Sequence, residues 1–229
     1  MRCPGLRLGL FTIGLLVAIR AFGSDEPAKP ATATKPAAKP TAVKIGQPAP
    51  DFTLLDHTGK KHRLSDYADK VVVLEWLNQE CPYSVRAVPV IKALSTKYAE
   101  KGVVWLGVES THWRRPEEND KYARDKELKY PILMDNEGKV GRLYGARTTP
   151  HIFVINKGTL AYMGALHDDP QGKKATSEIR NYVDEALTAI LGGKDVPLAE
   201  TTPWGCSVKY KTDAPAAEGK PGSPETSQP

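Results

Sequence analysis

Cysteine is scarce in this chain, with three in 229 residues, and no two are spaced as Cys-x-x-Cys. That excludes a dithiol carried on one helical turn, a zinc ribbon and the Cys-x-x-Cys-His attachment of haem. The five histidines form no short-spaced ligand motif, and no glycine-rich phosphate loop follows a strand. No cofactor and no metal is expected. Charge of one sign is also lacking. The formal net charge is +5, and Arg2, Arg7 and Arg20 supply three of the positive charges. The rest of the chain carries about +2, too little to argue for a nucleic-acid partner. Large apolar side chains are nearly absent from residues 24–43 and 212–229, which are rich in Pro, Ala, Lys, Gly, Ser and Thr. Such stretches cannot bury enough surface to fold, so they read as a spacer and a tail.

The N-terminus carries an address. Arg2 and Arg7 precede an apolar run from Leu8 to Ala18, and Ala21-Phe22-Gly23 offers small residues for cleavage. Residues 1–23 therefore read as a signal peptide. The run is short of the roughly 20 residues that span a bilayer, so membrane contact would come only from an uncleaved signal. Cys3 leaves with the signal. Cys81 and Cys206 remain, an even number that permits a disulfide in an exported protein. The expected location is periplasmic or extracellular.

Between residues 44 and 192 strands and helices alternate. Asp51–Leu55 and Lys61–Leu64 flank the hairpin signal Asp56-His57-Thr58-Gly59. Val71–Leu77 is an apolar run suited to a central strand. Pro82–Lys101 has apolar residues at helical spacing and ends before Gly102, with Pro89 expected to kink it. Val103–Glu109 reads as a second buried strand, Pro116–Leu128 as a helix, Pro131–Met134 as a short strand or turn and Asn136–Tyr144 as a helical turn or two. His151–Asn156 and Thr159–Leu166 read as strands joined at Lys157-Gly158, and Lys174–Leu191 as a closing helix. The order predicts an α/β layer fold.

Cys81 is the residue with chemistry. Cys81-Pro82-Tyr83-Ser84 follows a central strand and opens a helix. Unpaired amide N–H groups at a helix N-terminus favour a thiolate over a thiol. Pro82 suits the first helical position, where its missing N–H costs nothing. A strand-to-helix turn should leave the sulfur near the surface. The other reading is a buried structural cysteine.

These features resemble the thioredoxin-like redoxins, the branch holding alkyl hydroperoxide reductases and thiol-specific antioxidants. The resemblance covers residues 45–192. It rests on Ala49-Pro50-Asp51-Phe52-Thr53-Leu54, on Cys81-Pro82-Tyr83-Ser84, on Pro89 eight residues after Cys81, and on Thr149-Pro150 before the strand His151–Asn156. It implies a thioredoxin fold with an N-terminal β-hairpin extension and a central mixed sheet flanked by helices. It implies a cis peptide at Thr149-Pro150, which faces the reactive cysteine and pairs with an extended substrate chain. Pro82, Tyr83, Ser84, Thr149 and Pro150 are then the substrate-binding positions. Glu75, six residues before Cys81, matches a buried acid that exchanges protons near neutral pH; the other reading is a strand-end glutamate in solvent. Glu80, beside Cys81, is expected exposed and opposed to thiolate formation. His151 follows Pro150 and is expected to approach the site.

Two departures matter. Ser84 stands where a second motif cysteine would be, able to hydrogen-bond a thiolate but not to resolve a mixed disulfide. Leu74 and Asn78 stand where peroxiredoxins, in Pro-x-x-x-Thr-x-x-Cys, carry Pro and the peroxide-orienting Thr. Cys206 is the candidate resolving thiol. The segment from Gly193 can extend about 40 Å, enough to reach Cys81, and Gly205-Cys206-Ser207-Val208-Lys209 is similar to endings of exported redoxins. A free thiol and an intermolecular disulfide stay open for it. Residues 193–211 are expected to pack on the domain. The preferred function is disulfide exchange with a protein disulfide or thiol partner, with Cys81, Cys206 and Glu75 as catalytic residues. A thiol peroxidase acting on a small hydroperoxide and a non-enzymatic binding module are the alternatives.

Overall fold

The computed structural model describes residues 43–211. The signal at 1–23, most of the spacer and the tail at 212–229 lie outside the described residues. Val43, assigned to the spacer, packs against the core.

A hairpin of β1 (Thr53–Leu55) and β2 (Lys61–Arg63) opens the domain. Asp56 holds its turn, accepting from the amides of Thr58 and Lys60 and from the Thr58 hydroxyl. The central sheet follows. It has the order β5-β4-β3-β7-β8, with β3 at Val71–Trp76, β4 at Val104–Glu109, β5 at Ile132–Met134, β7 at His151–Asn156 and β8 at Thr159–Gly164. The first three strands run parallel, and β7 and β8 are antiparallel neighbours. Every residue of β3 is buried, which explains its unbroken apolar run around a single acid.

The pleat sorts β3 onto two cores. Val71 and Val73 meet Ile91 and Leu94 of α1 (Pro82–Ala99) and Val183 and Leu187 of α4 (Tyr182–Leu191). Val72, Leu74 and Trp76 meet Phe52 and the face of α3 (Lys139–Tyr144) that carries Val140 and Tyr144. Trp76 lies 5.6 Å from Tyr144 and 5.1 Å from Phe153, ring to ring. Each such side chain contributes about 1.5–3 kcal/mol by leaving water. Helix α2 (Pro116–Asp125) adds Tyr122 and Ala123 to Leu77, Val88 and Ile132.

The closing helix is shorter than the apolar spacing suggests. It begins at Tyr182, not Lys174, because the preceding backbone is committed elsewhere. Asp169 accepts from the amides of Lys173 and Lys174, and Asp168 accepts from Arg180 N–H. Asn181 then caps the helix by accepting from Asp184 N–H at 3.0 Å. Helix α1 runs through Pro89 as one element, and β8 stops at Gly164, two residues early.

One further pairing positions the site. β6 (Thr148–Thr149) stands apart from the central sheet and pairs antiparallel with β9 (Cys206–Ser207), placing Thr149 opposite Cys206. The C-terminal segment therefore packs on the domain.

Candidate functional site

Cys81 is the N-cap of α1, with extended backbone and Pro82 next in line. The approach to it is built by Asn78. The Asn78 carbonyl accepts from Cys81 N–H at 3.0 Å, and its side-chain oxygen accepts from Glu80 N–H at 2.8 Å. Ser84 is buried, and its hydroxyl accepts from Asn78 N–H at 3.2 Å. The Ser84 side chain thus braces this turn, and its amide lies on the side that favours the Cys81 thiolate. The side-chain oxygen of Asn78 is spent the same way.

The sulfur itself is covered. Cys81 is 2% exposed, contrary to the surface position that the turn suggests, because the β6–β9 pair lies over it. The Thr149–Pro150 peptide is cis, and the Cys81 thiol donates to the Thr149 carbonyl at 3.1 Å. Both cysteines are free thiols. Burial pushes the Cys81 thiol up, but hydrogen bonds from the Cys206 thiol, the Thr149 hydroxyl and the amides of Ser84 and Cys206 outweigh it, so the group lies below its ordinary value. Burial, then the neighbouring Cys81, push Cys206 up. The two sulfurs are therefore shifted in opposite directions, Cys81 toward its ionised form and Cys206 away from it.

Glu75 is 3% exposed, on the α1 side of β3. Trp105 Nε1–H and the Tyr130 hydroxyl each donate to its Oε2 at 2.9 Å. Burial dominates and pushes the carboxyl up to about 7. The solvent-facing reading of Glu75 is therefore excluded. Glu80 is exposed, as expected, and Arg114 lies 2.9 Å from it. Arg114 is buried and also faces Glu109, 3.8 Å away and fully enclosed. Burial pushes Glu109 up to about 7. His151 does not approach Cys81. It points to the opposite face of the sheet, with its ring 4.4 Å from Phe153, and burial holds it near 3. Alternation along β7 puts Ile152 and Val154, not His151, on the α1 side.

The sequence reading missed three contributors. Trp204 packs its ring 4.9 Å from His167 and 6.2 Å from Tyr83. Gly205 has φ +131°, and a side chain there would overlap the Thr149 carbonyl oxygen. Arg147 receives Val208 N–H on its carbonyl at 3.1 Å. The signal was the Trp-Gly pair directly before Cys206.

A thioredoxin-type sheet with a thiol at the N-terminus of its first long helix and a cis-proline turn against that thiol defines a thioredoxin-like redoxin. The AhpC/TSA family matches residues 45–163, and the chain belongs to it. Among relatives, it is 34% identical over 152 residues to thiol-disulfide oxidoreductase ResA of Geobacillus thermodenitrificans, covering 66% of this chain and 82% of that one. A solved structure of an uncharacterized conserved protein from Geobacillus kaustophilus superposes with TM-score 0.67 at 28% identity, over 80% of this chain and 100% of that one. Peroxidoxin BcpB of Mycobacterium tuberculosis shares the fold, with TM-score 0.50 at 22% identity over 66% of this chain and 97% of that one.

Proposed function

We propose that this thiol-dependent oxidoreductase exchanges disulfides with protein partners outside the cytoplasm, with Cys81 as nucleophile and Cys206 as resolving thiol. The observation that carries the reading is the β6–β9 pairing, which sets Cys206 opposite Thr149, the residue whose carbonyl accepts from the Cys81 thiol at 3.1 Å. The name of the Geobacillus thermodenitrificans relative supports the same class. The basic and apolar N-terminal pattern supports export.

The Cys81 thiolate attacks one sulfur of a partner disulfide. A Cys81–partner S–S bond forms, the partner's own S–S bond breaks, and the displaced thiolate takes a proton. Cys206, losing its proton, then attacks the Cys81 sulfur. The partner leaves as a dithiol, and the two electrons it gained come from the Cys81–Cys206 pair, now a disulfide. An external thiol restores the pair. Glu75, held near neutrality, is the proposed proton store for these transfers, and Thr149 and Pro150 align the partner chain.

The peroxidase reading stays as the alternative. Against it, Leu74 and Asn78 replace the motif's Pro and Thr, and the Asn78 side-chain oxygen accepts from Glu80 N–H. The test is disulfide mapping by mass spectrometry with single variants. Oxidised protein should contain a Cys81–Cys206 bridge. Cys81→Ser should abolish disulfide reduction, and Cys206→Ser should accumulate a mixed disulfide through Cys81. A Cys81 that alkylates with the pH dependence of a free peptide thiol, near pH 8.5, overturns the proposal. A peroxide rate far above that of a free thiol would move the assignment to peroxidase.

A further inference from the structure

The C-terminal strand occupies the place where a partner chain would pair, and it occupies it with a specific sequence. Cys206 lies over Cys81. Gly205, one residue earlier, runs against the Thr149 carbonyl, with no room for a side chain. Trp204, two residues earlier, enters a slot between His167 and Tyr83, and its indole N–H donates to the His167 carbonyl at 2.7 Å. Arg86 sits over Tyr83, its guanidinium 5.5 Å from the ring centre. Tyr83 belongs to the first turn of α1, two residues from the reactive sulfur. The slot and the thiol are therefore parts of one surface.

Resting on the site proposed above, we propose that Tyr83, His167 and the edge of β6 form a peptide-recognition site, filled in cis by Trp204-Gly205-Cys206, and that it takes in trans an extended segment with an aromatic residue two positions before its cysteine and glycine between. The chemistry of each position is distinct. The slot offers two tilted rings and a carbonyl acceptor, which suits a flat side chain with an N–H or O–H at its edge. The Thr149 position rejects any Cβ. The β6 edge supplies backbone pairing, which is indifferent to side chains. Other segments are refused at the first two positions, so the strand acts as a built-in competitor that a matching partner displaces.

Only a partner that reproduces the Trp and Gly contacts recovers what the displaced strand loses. An aromatic anchor of this kind corresponds to about tenfold in affinity.

The experiment uses the full chain and a fluorescent peptide without cysteine, Ala-Pro-Trp-Gly-Ser-Ser-Val, read by anisotropy, with Ala-Pro-Ala-Gly-Ser-Ser-Val as its control. Two variants unseat the strand by different routes: Trp204→Ala empties the slot, and Gly205→Val drives the backbone off Thr149. Both are checked for cooperative thermal unfolding, so that loss of fold in one leaves the other as the test. Either folded variant should bind the Trp peptide about tenfold more tightly than the unaltered chain does, and about tenfold more tightly than it binds the Ala peptide. Equal binding of the two peptides, or no gain over the unaltered chain, overturns the proposal. The probe carries no thiol, so this result is independent of Cys81 reactivity. A Cys81 that titrates like a free thiol would instead bring down the redox reading on which the site's purpose rests.

Discussion

Replacing Glu75 by glutamine removes one buried carboxyl while keeping an oxygen for Trp105 and Tyr130. In the native fold that carboxyl holds its proton up to about pH 7, against 4.5 ordinarily. Below pH 4.5 it is neutral both in the fold and in the unfolded chain, and nothing is lost. As pH rises above 4.5 the unfolded chain releases the proton and the fold does not, so the wild type loses stability until about pH 7. Each unit is worth about 1.4 kcal/mol, so the loss totals about 3 kcal/mol. Glutamine has no such slope. The new amide N–H groups add an offset, but it does not change with pH. Urea unfolding of the two proteins in reductant, from pH 4.5 to pH 8, isolates the effect, because Glu109 and every other titrating group are common to both and cancel. The variant should gain on the wild type by about 3 kcal/mol across that range, with the change complete near pH 7.5. Two parallel curves would refute the buried, proton-holding state of Glu75, and with it the proton-store role.

Three other perturbations follow from the same geometry. Arg114→Met strips Glu109 of its cation, and should cost about 3 kcal/mol at pH 8 but clearly less at pH 6, where Glu109 is protonated; urea midpoints at the two pH values read this. Asp56→Asn removes a carboxyl that Thr58, His62 and Lys60 hold at about 2 against burial. Its contribution of about 2 kcal/mol is present above pH 3.8 and lost as pH falls toward 2, so acid unfolding curves of wild type and variant should converge there. Gly205→Ala forces β9 off Thr149, and should slow formation of the Cys81–Cys206 bridge about tenfold with little change in the melting temperature of the reduced protein; alkylation followed by mass spectrometry gives the rate.

The parts legible in sequence are those with one dominant local cause. The apolar run Val71–Leu77 had one place to go, the interior of the sheet. Cys81-Pro82 announced a helix start, and Gly102 its stop. The cis turn at Thr149–Pro150 was legible from its motif. The errors fall where tertiary contacts outbid local pattern. Ile179 has helical spacing from Val183 and Ala186, yet Asp168 and Asp169 claim the amides around it and delay α4. Ser84 has a tie that the motif does not announce, its hydroxyl oxygen accepting from Asn78 N–H. The exposed sulfur was a fair reading of the turn alone. What covers it comes from Thr149, 68 residues away, and from Cys206, farther still, beyond anything that periodicity reports.

The origin of that cover bears on how the site can work. Where both thiols share one helical turn, the resolving group is always present and the substrate edge is always open. In the exchange proposed above, the resolving thiol and the strand that pairs with the edge are one object. The segment is fastened on both sides of Cys206. Upstream, the Thr201 side chain pairs with the Tyr162 hydroxyl at 2.6 Å and accepts from Ala165 N–H at 2.8 Å, packed against Gly164, where a side chain would collide with it. Downstream, the Tyr210 hydroxyl donates to the Ala146 carbonyl at 2.8 Å, with Arg142 over its ring. With those anchors kept, only the short stretch between them has to lift for a partner to enter. Its return is a short-loop closure at an effective concentration in the millimolar range. Partner entry opens the edge by removing Cys206, and reseating the strand both delivers Cys206 to the mixed disulfide and takes back the backbone pairing that held the partner. In the proposed exchange, resolution and release are then one event, and the serine at position 84 leaves Cys206 as the thiol on this segment to carry it out.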